Sequence, residues 1–240
     1  MANRINIAMW SGPRNLSTAL MRSFGNRADI IGVFDEPFYA SYLKSTNKKH
    51  PMFDEILISQ ESDWKKVITR CLQKQGDGIC YQKHMVHHLL PSYDKKWILN
   101  CINCFLIRNP KEVISSFLEK WPEASFEDFG FIDQFNLFSF IKNEIGESPA
   151  VLDASDLRNH PEKYLKILCK KIKIPWDPRM LQWESGLRSY DGVWASHWYP
   201  SVQSSTGFTK KSSKRIFTNE VLNIAAQAEE LYSELSRYKI

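Results

Sequence analysis

The sequence contains no apolar run approaching the ~20 residues that a membrane-spanning helix needs. Its opening residues, MANRINIAMWSGPR, also lack a long apolar stretch followed by a small-residue cleavage site. Both absences lead to the expectation of a cytoplasmic protein with no membrane partner. Cysteine is scarce: five residues, odd in number and without framework spacing, fit reduced thiols better than disulfides. Cys101 and Cys104 do form a C-x-x-C, but the surrounding CINCFLI reads as a strand. Strand residues three apart point to opposite faces, so the pair reads as structural rather than metal-binding or redox-active. No internal repeat or low-complexity linker is visible. A chain of 240 residues is then most simply one domain, 1–240, because α/β folds of this size commonly stay undivided. A strong excess of one charge is missing too. The 32 basic and 27 acidic residues leave +5, spread along the chain, which fits small anionic ligands and gives no nucleic-acid tail.

What is present is an ordinary globular composition, 43% hydrophobic and 25% charged, arranged in alternating short apolar runs and helical stripes. Runs at Ile5–Trp10, Ile30–Phe34, Gly78–Tyr81, Ile102–Ile107 and Ala150–Leu152 are short enough for buried strands. Between them, Leu16, Leu20, Met21 and Phe24 recur at helical spacing, as do Val113, Ile114, Phe117 and Leu118. Tyr164, Leu165, Leu168 and Ile172 form a third stripe, begun by Pro161 at a first helical position. A last helix is expected over Thr218–Tyr238. This alternation predicts a three-layer α/β fold: a mostly parallel central sheet with helices on both faces. In such sheets ligands bind at the carboxyl ends of the strands. The stretches SGPRNLST, DEPFY, KHMVHH and RNPKEVISS all follow strands and so collect on that edge. Ser41–Asp63 and Trp176–Ser213 read as the least regular segments, of a length often used to cover a site.

The first of these loops, MWSGPRNLSTAL, sits where nucleotide-binding proteins carry a phosphate loop, yet it is no Walker loop. That motif needs glycine and lysine just before its hydroxyl residue; here Gly12 is followed by Pro13-Arg14-Asn15-Leu16-Ser17-Thr18. A tight turn feeding a helix still aims backbone N–H groups and the helix dipole at one spot. Ser17 and Thr18 add hydroxyls, and Arg14 a planar cation able to grip two anionic oxygens. In isolation the loop reads as well as an N-cap at Ser17 beside a surface charge. The second loop, RNPKEVISSF, puts Arg108 at a strand end, Pro110 at a helix start and Ser116 two turns in. It reads as a plain turn or as a second phosphate site. Two anion-friendly loops on one edge point to a ligand with two separated phosphates.

Together these stretches resemble the sulfotransferases that use 3′-phosphoadenosine 5′-phosphosulfate, a P-loop-like family. PRNLST is similar to the family's P-K/R-x-G-S/T-S/T loop, and RNPKEVISS matches R-N/D-P-K/R-D/E-x-x-x-S at each fixed position. LDASDLRNHPEKYLKILCKKIKIPWDP resembles a third family segment, and the three occur in order over residues 4 to about 180. The resemblance implies a P-loop-like fold, 3′-phosphoadenosine 5′-phosphosulfate as donor co-substrate, no metal, and a small-molecule hydroxyl or amine acceptor. It assigns the 5′-phosphosulfate to Arg14, Asn15, Ser17 and Thr18, with Arg14 also stabilising the leaving phosphate. Arg108 and Ser116 fall to the 3′-phosphate. A Walker lysine with its metal serves β/γ-phosphates, which this donor lacks. Two departures stand out. Leu16 replaces the family's glycine, which would limit how closely the backbone approaches phosphate. The R-K-G loop of the cytosolic branch is missing as well; Lys210, Lys211, Lys214 and Arg215 either replace it or form a solvated basic loop.

Sulfuryl transfer also needs a base. Some branches carry a catalytic glutamate at the end of the second strand, where Glu36 lies in FDEPFY. Asp35 is adjacent and faces the other way if the stretch is extended; either could instead cap a helix starting near Pro37. The competing candidate is His84, which with Lys83 looks like a distorted K-x-H-x-P stretch. His87 and His88 are alternatives to it, and histidine has the natural pKa for the work. His84 and His88 are four apart, as on zinc-binding helices, but no acid completes H-E-x-x-H. The aromatic tract YDGVWASHWYP, residues 190–200, reads as core, as the wall of an acceptor pocket, or as a surface that stacks on adenine. Two rival functions remain: a non-catalytic nucleotide-binding module, and an ATP-dependent kinase that would need the missing Walker lysine.

Overall fold

Strand β1 (Arg4–Ser11) shows how the sequence builds the sheet. Its side chains alternate: Ile7 and Met9 enter one apolar cluster, Ala8 and Trp10 another on the opposite face. The computed structural model describes residues 4–73, 76–209 and 216–240. Around β1 lie β2 (Ile30–Asp35), β3 (Gly78–Met85), β4 (Ile102–Ile107) and β5 (Ala150–Asp153). They run in the order β2-β3-β1-β4-β5, and all four pairings are parallel. A parallel sheet needs cover on both faces, hence nearly continuous apolar runs.

That cover comes from helices α1 (Ser17–Gly25), α2 (Tyr39–Thr46), α3 (Phe53–Ser59), α4 (Trp64–Cys71), α5 (Pro110–Leu118) and α6 (Phe131–Ile145). It is completed by α7 (Ala154–Asn159), α8 (Pro161–Lys171), α9 (Ala195–Trp198), α10 (Pro200–Gln203), α11 (Asn219–Ala226) and α12 (Glu229–Ser236). Leu20, Met21 and Phe24 of α1 and Leu165 and Leu168 of α8 fill the cluster on one face. Leu137, Phe138 and Ile141 of α6 fill the other, with Val67 of α4. Each fully buried leucine contributes ~1.5–3 kcal/mol. The result is the three-layer, P-loop-like α/β fold. Among the described residues no helix is long and apolar enough to cross a membrane. All five cysteines are buried and unpaired, with Cys104 and Cys101 in clusters on opposite faces.

Three expectations need correction. The third strand continues to Met85 rather than ending at Tyr81, which places Lys83 and His84 in a strand, on opposite faces. Ser41–Asp63 is largely helical, because Tyr39, Leu43 and Ile56 give α2 and α3 apolar faces that enter the cluster shared with α1. The last helix is two, broken at Gln227 and Ala228: Val221 and Ala225 pack with α5 in a third cluster, whereas Leu235 belongs to the α6 side of the sheet. One straight helix cannot bury both faces.

The topology positions the site. From β1 the chain goes to β2 and β3 on one side, then returns to β4 on the other side of β1. The loops leaving β1 and β4 therefore flank the crevice at a switch point, where parallel sheets bind ligands.

Candidate functional site

The loop after β1 is shaped by close approach. A Cβ on Gly12 would stand 2.5 Å from the Phe129 carbonyl oxygen, so only glycine fits. Arg14 and Leu16 both have left-handed backbones, φ 61° and 69°. The position where the family carries glycine is thus one that glycine suits, and Leu16 occupies it at a strain of ~1–2 kcal/mol. Leu16 is the N-cap of α1 and provides no side-chain cap, leaving the first-turn N–H groups to other acceptors. The helix therefore starts at Ser17, which is not its cap. The Asn15 side chain turns inward and donates to the Leu106 carbonyl at 3.0 Å, pinning the loop to β4.

The loops after β1 and β4 meet. Arg14 Nε donates to Ser116 Oγ at 3.1 Å, and Arg108 Nη1 donates to the Arg14 carbonyl at 2.7 Å. Arg108 Nε and Nη2 also grip Glu112 Oε2, at 2.8 and 2.5 Å. Arg14, Asn15, Ser17, Thr18, Arg108 and Ser116 all line one cavity of about 420 Å³. The basic residues Lys210, Lys211, Lys214 and Arg215 lie outside the described residues.

Glu36, Lys83 and Tyr199 line the same cavity. Lys83 is almost wholly buried and donates to Asp35 Oδ1 at 2.9 Å, to Glu36 Oε1 in a short contact, and to Tyr199 Oη at 2.7 Å. These use all three of its protons. Tyr199 Oη also accepts from Trp194 Nε1 at 3.0 Å and donates to Asp35, whose oxygens lie at 2.8 and 2.9 Å. The Gly192 N–H reaches Asp35 Oδ2 at 3.3 Å. Both Asp35 oxygens are thereby engaged. Glu36 Oε1 takes the lysine, while Oε2 lies 3.8 Å from His88 Nδ1, beyond hydrogen-bond range.

The sequence-based expectation that adjacent Asp35 and Glu36 face apart fails for a backbone reason. Glu36 has φ 45°, leaves the extended conformation and turns its carboxylate back onto Lys83. Neither residue caps a helix, since α2 begins at Tyr39 with Phe38 as N-cap. Burial is the largest influence on Glu36 and raises its pKa; the Asp35 charge adds to it, and Lys83 only partly offsets both. Burial opposes the charge on Lys83, but the two carboxylates outweigh it and hold the ammonium protonated.

His84 does not reach this cavity. Its ring stacks on Trp10 at 4.4 Å, on the opposite face of the sheet, and Nε2 pairs with Gln82 Oε1 at 3.1 Å. Burial drives its pKa down to about 3. The geometry therefore separates it from the other sequence-proposed residues. His87 and His88 do line the cavity, together with His50, Tyr39 and Trp121, which sequence reasoning left unassigned. Nothing local marks them, because they come from three separate segments. Among the described residues no group of three or more His, Cys, Asp or Glu side chains is placed to hold a metal.

The 190–200 tract divides between the core and the cavity wall. Trp194 is core, Trp198 lines the cavity and Tyr199 anchors the carboxylates. Its start is fixed by a buried bidentate pair, Arg22 to Asp191, at 2.5 and 2.6 Å.

Residues 5–226 match the family described as Sulfotransferase domain. The chain belongs to the sulfotransferase family. Its fold is shared with the sulfotransferase domain of the curacin biosynthetic pathway, at 16% identity and TM-score 0.53, covering 95% of this chain and 99% of that one. The sulfotransferase from Alicyclobacillus acidocaldarius is similar at 9% identity and TM-score 0.57, covering 100% and 98%. These likenesses concern the fold alone. Two curated relatives from Arabidopsis thaliana are named branched-chain-amino-acid aminotransferase-like proteins 2 and 1. They are 38% and 37% identical over 85% and 98% of this sulfotransferase domain, which spans only 36% and 42% of their length.

Proposed function

We propose that the chain, as a single domain over residues 1–240, transfers a sulfuryl group from 3′-phosphoadenosine 5′-phosphosulfate to a hydroxyl or amine of a small molecule. The observation that carries this reading is one cavity lined by two kinds of chemistry. The uncapped start of α1, Arg14, Ser17, Thr18, Arg108 and Ser116 suit anionic oxygens. On the same cavity wall, Glu36 keeps Oε2 for a proton while Asp35 is fully engaged. In the reaction the acceptor oxygen forms a bond to sulfur as its proton passes to Glu36. The bond from sulfur to the 5′-phosphate oxygen breaks, and adenosine 3′,5′-bisphosphate leaves with its new charge against Arg14. Burial makes Glu36 more basic than an exposed glutamate, which favours the base role.

An aminotransferase role finds no support in Lys83, which is held protonated, whereas a Schiff base needs a neutral amine. The buried, unpaired cysteines support a reducing compartment, the cytoplasm. The test combines two measurements. Isothermal titration should show binding of adenosine 3′,5′-bisphosphate without magnesium, and sulfur-labelled donor should pass label to at least one acceptor in a broad hydroxyl and amine panel. ATP–magnesium binding without bisphosphate binding would favour a kinase; bisphosphate binding with no transfer would leave a nucleotide-binding module.

A further inference from the structure

The cavity that holds Glu36 is lined by three histidines, His50, His87 and His88, each with a buried ring nitrogen that has no hydrogen-bond partner among the described residues, and two of them, His50 and His88, pack against the same Tyr39 ring. His50, between α2 and α3, is 9% exposed and its Nδ1 lies 2.9 Å from the Tyr39 hydroxyl. Its ring meets Trp121 edge-on at 4.8 Å, and Nε2 is buried with no hydrogen-bond partner among the described residues. His88 is 2% exposed and stacks against Tyr39 at 4.5 Å and Tyr42 at 4.8 Å. Its Nδ1 is likewise buried and unpartnered, 3.8 Å from Glu36 Oε2. Both rings line the cavity that contains Glu36. Buried polar atoms are nearly always paired, so such nitrogens on the wall of a cavity that also holds a proposed base point to a ligand that completes them.

We infer that His50 and His88 form a subsite for a second hydroxyl of the acceptor, which is therefore an uncharged diol or polyol. This rests on the sulfuryl-transfer reading and names its acceptor class. Burial lowers the pKa of His50 to about 4 and that of His88 well below the ordinary value, so both rings are neutral near pH 7. A neutral imidazole presents one N–H donor and one nitrogen acceptor, and a hydroxyl is the small group that answers both. Neutral rings offer no charge to a carboxylate or phosphate, and the Glu36 charge that an ammonium would seek is already paired with Lys83. With the reacting hydroxyl at Glu36, the histidines engage another on the same molecule. Tyr39, Trp121 and Trp198 line the same cavity and give its carbon framework a flat apolar surface.

The test uses a minimal pair, trans-cyclohexane-1,2-diol and cyclohexanol, titrated into the full chain with and without saturating adenosine 3′,5′-bisphosphate. Imidazole nitrogen-15 shifts report the site directly. The expected result is shifts at His50 and His88 with the diol, binding about tenfold tighter than the mono-ol, and loss of that preference in His50→Phe. Equal affinities, or diol binding that leaves both imidazoles unshifted, overturn the inference; the unmutated chain supplies this readout even where His50→Phe fails to fold. The bisphosphate titration on the same samples separates the two ideas. Bisphosphate binding without diol preference sinks only the subsite, whereas diol preference without bisphosphate binding sinks the donor assignment.

Discussion

Replacing Lys83 by methionine tests the buried network that organises the proposed base. The substitution keeps an unbranched side chain of similar length, so little cavity is created, but it removes the ammonium between Asp35, Glu36 and Tyr199. Removing one partner from a buried ion pair costs about 3–5 kcal/mol, because the remaining charge is left uncompensated. With a urea slope of about 3 kcal/mol/M, the unfolding midpoint should drop by about 1–2 M. The effect carries a pH signature. In the parent, burial and the Asp35 charge raise the Glu36 pKa while Lys83 and the Tyr199 hydrogen bond lower it; without Lys83 the main opposing influence is gone. A group whose folded pKa lies above its unfolded value loses stability as pH rises through the folded pKa and regains it below the unfolded one. The deficit should therefore be largest at about pH 8 and smaller at about pH 5. Tryptophan fluorescence in urea at both pH values, for parent and Lys83→Met, measures it. A variant as stable as the parent at the higher pH, or a deficit that does not shrink on acidification, would refute the compensation argument.

Glu36→Gln should abolish sulfuryl transfer while bisphosphate affinity stays within about twofold, whereas His84→Asn should lower stability through the lost Trp10 stack and retain turnover. The opposite pattern in labelled-donor assays would move the base to His84. In the parent, kcat/KM should rise with pH through the elevated Glu36 pKa, as the carboxylate form is the active base. Arg108→Ala should weaken adenosine 3′,5′-bisphosphate binding more than tenfold, since a charged hydrogen bond is worth about 1.5–3 kcal/mol; an unchanged calorimetric Kd would remove Arg108 from the donor site. At Leu16 the usual helix order should reverse. Glycine should be more stable than alanine there by about 1 kcal/mol in denaturant titration, because φ is 69°; alanine ahead of glycine would show that the position is unstrained.

Local pattern carried much of this molecule. Apolar runs of strand length alternating with helical stripes were enough for a parallel, three-layer fold, because side-chain periodicity directly reflects which faces are buried. The loops after β1 and β4 were legible as candidate anion sites for the same reason: their chemistry lies within ten residues of a strand end. Pairing those loops through Arg14, Ser116 and Arg108 depended on strand order, which brings β4 beside β1 although about 90 residues separate them.

The choice among Asp35, Glu36 and His84 lay beyond the sequence. A positive φ at a glutamate has no composition signal, yet that one dihedral turns two adjacent carboxylates onto the same lysine. Four more residues of strand put His84 behind the sheet and Lys83 in front of it. Tyr199 and His50 join the site from segments distant in sequence. Buried faces and the candidate anion loops could be read along the chain, since both follow from neighbouring residues. Which carboxylate keeps an oxygen without a hydrogen bond emerged only on folding, because it depends on every donor that distant segments bring to it.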